Sequence, residues 1–187
     1  MTLRAVVLSF VLCLSYLVTW SQDTTQTSVI KYYNRTFTGI LAGGQHGLIT
    51  GSLTTAHGVS VGRFALAAGT GLEGYERWRT IPIFGSMAYY FRGVRKKGMF
   101  LQIQGGHSIC RLLTADEWID IDGTKGGAMF SSTIGYQIAS NKLSVNIAAG
   151  YKMQKMRGGY SSPWSPLAYS IDEKTDRFIF QIGFGIL

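Results

Sequence analysis

Apolar and polar residues alternate along most of the chain. In "RFALAAGTGLEGY", Arg63 to Tyr75, one phase reads Phe64, Leu66, Ala68, Thr70, Leu72 and the other Ala65, Ala67, Gly69, Gly71, Glu73. In "KLSVNIAAGYKM", Leu143, Val145, Ile147, Ala149, Tyr151 and Met153 oppose Ser144, Asn146, Ala148, Gly150 and Lys152. The closing "RFIFQIGFGIL" sets Phe178, Phe180, Ile182, Phe184 and Ile186 against Arg177, Ile179, Gln181, Gly183 and Gly185, and "GMFLQIQGG" sets Met99, Leu101 and Ile103 against Gln102 and Gln104. Long period-two runs with few breaks are strand signals. They predict about eight strands, at 35–43, 49–61, 63–75, 81–92, 98–108, 126–138, 142–153 and 176–186.

The connections decide which face is inside. Gly62–Arg63, "GVRKKG" and "ASNK" are tight, whereas "GYERWRT", "SICRLLTADEWIDIDGTK" and "QKMRGGYSSPWSPLAYSIDEKTD" are longer. Short and long connections at alternate ends, with an even strand number, are the layout of an outer-membrane barrel. A soluble barrel of the lipocalin type would line its cavity with large apolar residues. Here the face opposite the large residues carries Gly, Ala, Ser, Gln and Asn, which suits the narrow lumen of an eight-stranded barrel. The expected fold is all-β, an eight-stranded antiparallel up-and-down transmembrane β-barrel with its apolar face outward.

Composition agrees. The chain has 24 Gly, 3 Pro and 15% charged residues, and glycine at that frequency is poor material for helices. Arg4, an apolar run from Ala5 to Val18, and small residues at Thr19 and Ser21 form the layout of a secretory signal peptide. Cleavage after Ser21 is expected. It is followed by a short periplasmic segment at 22–34 and the barrel at 35–187. Cys13 falls in the leader, so Cys110 is the sole mature cysteine and no internal disulfide can form. The mature chain has 17 basic and 10 acidic residues, which favours anionic lipid head groups over nucleic acid as partners of an exported protein.

The stretch "TTAHGVSVGRFALAAGTGLEGYERWRTIPIFGSMAYYFRGVRKKGMFLQIQGGHS" is similar to the central hairpins of small bacterial outer-membrane β-barrel domain proteins, OmpA-like in fold. The Gly58 strand, "LAAGTGLEGY", Ile81 to Phe91 and Gly105–Gly106 carry the likeness. "GGAMFSSTIGYQIA" and the last strand extend it over most of the mature chain. The resemblance implies an acidic and a basic residue facing the lumen where this chain has Ser86 and Ala88, so that ion pair is missing there. It also implies an aromatic terminal residue, where this chain has Ile186 and Leu187.

Candidate chemistry is sparse. A surface hydrolase would need His, Ser and a carboxylate on one face, but His107 and Ser108 are adjacent and point to opposite faces of a strand. His57, mid-strand between Thr55 and Val59, has no evident role. Asp116, Glu117, Asp120 and Asp122 lack the full calcium-loop pattern and read as a solvated acidic loop. "NRT" at Asn34 fits a glycosylation sequon by chance in a bacterial setting. No catalytic, cofactor or metal site is expected. Arg77, Trp78 and Arg79, at an expected outer rim, suit contact with lipid head groups. Arg92, Arg95, Lys96 and Lys97 form a soluble turn at the opposite end. Tyr75, Tyr89, Tyr136 and Tyr151 are expected as interfacial girdles.

These features point to a non-enzymatic protein with a structural or surface-interaction role, its long loops at 109–125 and 154–175 reaching outside. The expected partners are outer-membrane lipids, lipopolysaccharide included, and an outer-membrane protein. An accessory subunit of a larger outer-membrane complex is the alternative. A narrow pore and a lipid-modifying enzyme rank below it.

Overall fold

The computed structural model describes residues 30–44, 47–75, 78–112, 124–140, 143–162 and 165–186. The expected leader at 1–21, Arg77 and the acidic Asp116–Asp122 stretch lie outside the described residues. The strands are β1 (Lys31–Ala42), β2 (Thr50–Val61), β3 (Phe64–Gly74), β4 (Trp78–Tyr90), β5 (Gly98–Leu112), β6 (Thr124–Lys125), β7 (Gly127–Ala139), β8 (Leu143–Ser162) and β9 (Ser165–Ile186). Two-residue β6 precedes β7 across Gly126 and pairs with β8, so the wall has eight staves. Each stave pairs antiparallel with its neighbour, and β1 pairs with β9 to close the barrel. The expected fold is the observed one.

The register fixes the barrel's dimensions. Starting at Tyr32 and stepping across each pairing gives Val59, Leu66, Met87, Ile103, Ser132, Tyr151, Phe178 and then Ala42. The circuit thus returns to β1 ten residues above its start. For eight strands that stagger corresponds to a tilt of about 40°, so each residue climbs about 2.5 Å along the axis and each step to the next strand about 3 Å. Heights below are measured this way, from the level of Tyr32 at the end that holds the chain's first strand residue and the tight turns.

Outside, Leu72, Ile83, Ile147, Phe178 and Phe184 are each more than half exposed, which no soluble sheet of this kind would tolerate. With their neighbours they form an apolar belt from the level of Tyr32, Phe64 and Leu143 up to Leu72, Ile81 and Phe178, about 25 Å tall. Inside, glycine makes room for aromatic rings. A Cβ on Gly183 would fall 2.3 Å from Phe37, one on Gly135 2.5 Å from Phe100, and one on Gly69 2.6 Å from Phe84. Each glycine is the register partner of its ring on the neighbouring strand, so the narrow lumen accepts the ring lying over that strand only because it has no side chain there. At the β2–β3 turn, Gly62 adopts φ 60°, the left-handed region that glycine enters without strain.

Three boundaries differ from the sequence expectation. β1 begins at Lys31, so residues 31–34 belong to the wall. β5 continues to Leu112, which takes 109–112 out of the expected loop. The expected loop at 154–175 is instead mostly paired backbone, with β8 running to Ser162 and β9 starting at Ser165. Its strand signal is hidden because this hairpin rises above the belt, where neither face needs an apolar phase. Charged pairs such as Arg157–Asp172, 2.8 Å apart, decorate its outer face.

Candidate functional site

The inward phase fills the lumen at three levels. Lowest is a cluster of Tyr33, Phe37, Tyr90, Phe100 and the turn residue Val94, which folds under the barrel mouth. Arg35 is buried among them, with its guanidinium 4.5 Å from the Phe100 ring centre and 4.9 Å from that of Tyr90. It donates to Gln137 and, at 2.7 Å, to Asn146. Gln137 also donates to the carbonyls of Val94 and Lys96, which ties the β4–β5 turn across the opening. A cation here is held by ring faces and amide oxygens. Ala56, Phe84 and Met129 occupy the middle.

The upper level holds an ion pair. Lys152 on β8 donates to Glu73 on β3, with side-chain exposures of 2% and 0%. Glu73 also accepts from Ser52 and Tyr75, each at 3.2 Å. Ser86 and Ala88, where the resemblance implies an ion pair that this chain lacks, are buried lumen packing, yet the lumen carries a pair elsewhere. Tyr75, Trp78, Cys110 and Met156 close the mouth above it, and Leu41 and Ile179 of the same cluster pack level with it. Burial pushes the Tyr75 phenol well above its ordinary pKa, and the neighbouring Glu73 charge adds to the shift.

This placement separates the expected head-group contacts. Trp78 is 1% exposed and points into the lumen mouth, where its indole donates to Glu173 at 3.0 Å. Arg79 faces outward from the next position. Tyr75 is likewise a lumen residue and no part of a girdle, because it shares the inward phase of Glu73. Tyr89, Tyr136 and Tyr151 do face outward. Tyr89 packs against Phe64 and Phe91 near the lower edge of the belt, with ring centres 5.0 and 5.4 Å apart. His107 faces out, whereas Ser108 is buried and donates to Gln154 at 2.8 Å, so the two share no site. His57 is exposed on the outer wall, with its Nδ1 2.6 Å from the Tyr32 hydroxyl.

The sequence reading missed Arg111, which lies directly opposite Arg79 across β4–β5. Both face outward above Ile81 and Ile109, about 30 Å above the level of Tyr32. Lys155 and Lys174 face each other in the same way across β8–β9 at a similar height. The outward phase of β5, followed past Ile109, was the available signal for Arg111.

A closed eight-stranded barrel, with an apolar exterior of membrane thickness and a largely polar interior, defines a class: this is an integral β-barrel of the outer-membrane type, crossing the bilayer with every stave. Neisserial surface protein A has a similar fold, with a TM-score of 0.59 at 11% identity over 84% of this chain and 98% of that one. The outer membrane protein AlkL aligns over 88% of this chain and 93% of its own at 14% identity, with a TM-score of 0.49. The translocator domain of autotransporter NalP from Neisseria meningitidis has a TM-score of 0.29 at 10% identity, over 92% of each chain. No family model and no curated protein matches the sequence.

Proposed function

We propose that this chain is a non-enzymatic outer-membrane barrel that works at the cell surface, with a structural or contact role and no traffic through its lumen. The observation that carries the reading is an interior blocked at both ends, with a cavity of about 1100 Å³ lined in part by Ser52, Glu73, Tyr75, Thr80 and Cys110 at the upper level. Val94 and the Arg35 layer block one end, Trp78, Tyr75 and Met156 block the other, and the Glu73–Lys152 pair lies between them. The contact element is the β8–β9 hairpin, which continues nine residues past Met153 to Ser162, about 20 Å beyond the belt.

The rim supports a lipid partner. Like charges directly opposite each other on neighbouring strands are unfavourable, and Arg79 against Arg111 is such a pair. Phosphates of an outer-leaflet glycolipid such as lipopolysaccharide, at that height, would relieve the repulsion and suit the planar guanidinium forks. In this reading Arg79 is a head-group contact, with Arg111 beside it in place of Trp78.

Two measurements test this. Purified barrel in planar bilayers should give no discrete conductance steps; reproducible steps would overturn the closed-lumen reading. In vesicles, added lipopolysaccharide should raise the thermal unfolding temperature of the wild type, and Arg79→Gln with Arg111→Gln should abolish the rise. An equal rise in the double variant would remove the rim from the contact.

A further inference from the structure

One part of the outer wall breaks the apolar belt. On β1, β2 and β3 the outward residues include Asn34, Thr36, Thr38, Thr55, His57 and Thr70. From the register they lie about 5 to 16 Å above the level of Tyr32, inside a belt about 25 Å tall. At the same heights the other staves present Met87, Leu101, Ile103, Ile134, Ile147 and Ile182, with Ser132 on β7 as an isolated polar position. The polar groups are linked: Thr36 to Thr55 at 3.0 Å, and His57 to Tyr32, Asn34 and Thr55 at 2.6, 3.0 and 3.3 Å. Beside them, the register row Ala68, Gly85, Gly105 leaves a stretch of wall without side-chain bulk. A Cβ on Gly105 would meet nothing within 4 Å.

We propose that this face is where two copies of the chain pair side by side in the membrane. Acyl chains at mid-bilayer offer no hydrogen-bond partner, so polar groups there are unfavourable against lipid and gain from a polar neighbour. Membrane insertion gives every copy the same orientation. A two-fold axis along the membrane normal therefore brings the same residues together at the same depth, and supplies that neighbour from an identical wall. Hydroxyl, amide and imidazole groups each donate and accept, so the patch complements itself, and the absence of Lys, Arg, Asp and Glu among the six leaves no like-charge repulsion. Small residues at Ala68, Gly85 and Gly105 allow the close approach that packing between membrane segments requires.

The test is depth-matched cross-linking of the full chain in an outer membrane. In a Cys110→Ser background, Thr55→Cys places a thiol in the patch. Ile134→Cys places one at nearly the same height on β7, four staves away. A short bis-maleimide should link Thr55→Cys into a homodimer at least tenfold more than Ile134→Cys, with the Cys110→Ser parent as blank. Equal yields from the two sites, or no link at Thr55→Cys, would overturn the proposal. A Thr55→Cys adduct with a protein of another mass would overturn it in favour of a different partner. A second variant, Thr36→Val with Thr55→Val and His57→Leu, makes this part of the wall as apolar as the rest of the belt. Energy transfer between labelled copies in vesicles should fall at least tenfold in it; an unchanged signal would also refute the pairing.

Discussion

Replacing Glu73 by Gln isolates the energetic role of the lumen's ion pair. The Lys152 ammonium is 2% exposed and bonds to Glu73, whose carboxylate has no exposed surface and accepts from Ser52 and Tyr75 as well. Removing one partner of a buried pair leaves an uncompensated charge, which costs about 3–5 kcal/mol. With a urea slope of about 2 kcal/mol/M, that range corresponds to a midpoint lowered by about 2 M. Glu73→Gln retains the volume and can still bond Ser52 and Tyr75, so the loss reports the stranded ammonium. Lys152→Met strands the carboxylate and should lose a similar amount. The double variant removes both charges and should recover most of the loss, because a buried pair is worth little against an apolar replacement of similar size. The assay is reversible urea unfolding in lipid vesicles, followed by tryptophan fluorescence, with the coupling taken from the four midpoints. A shift below about 0.5 M for either single variant would mean that water reaches the pair, and the closed mouth drawn from Trp78, Tyr75 and Met156 would be refuted.

Three further outcomes follow from the same geometry. Ile134→Arg, in the middle of the belt, should cost about 2–4 kcal/mol in vesicle unfolding, whereas Ile109→Arg above the belt should cost about 1 or less; equal losses would misplace the membrane. Gly183→Val puts a branched side chain where even a Cβ lies 2.3 Å from Phe37 and should cost about 1–3 kcal/mol from overpacking. Adding Phe37→Leu should restore part of it, and no recovery in the folded fraction would refute the ring-against-glycine packing. Arg35→Met removes the donor to Gln137 and Asn146, and should loosen the β4–β5 turn that Gln137 holds. Faster hydrogen exchange at Val94 and Lys96 would register it, and unchanged exchange there would sink the tie.

Phase alone made the barrel legible. Once Phe64 and Leu72 are assigned outward, parity places Glu73 and Tyr75 inside, and the same count from Ile81 places Trp78 inside and Arg79 outside. The expected girdle role for Tyr75 and lipid contact for Trp78 set residue type above phase; an aromatic near a strand end is interfacial only on the outward phase. The lumen pairings were not legible. Glu73 and Lys152 are 79 residues apart, and which inward residues meet across a barrel depends on its stagger, a sum over eight registers that no single strand reveals. The upper hairpin escaped for a different reason: above the belt, lipid no longer imposes an apolar phase, so the alternation that marks a strand fades where the strand continues.

The same argument separates the two sets of buried or membrane-level polar groups. Inside, the charged and several of the polar groups have partners supplied by another stave: Glu73 has Lys152, Ser108 has Gln154, and Arg35 has Asn146 and aromatic faces, while the Thr80 and Thr133 hydroxyls and the Gln102 amide oxygen are buried without one. Their presence is explained by the limited volume of the lumen, which favours a few long polar side chains bridging across small ones. The outer patch has no such explanation. Nothing about closing a barrel requires His57, Asn34 or four threonines to face the hydrocarbon together, and the other staves carry mainly Ile, Leu and Met at the same depth, with Ser132 isolated among them. Polar groups that the fold does not need, at a depth where lipid cannot match them, are accounted for by a neighbour in the membrane plane.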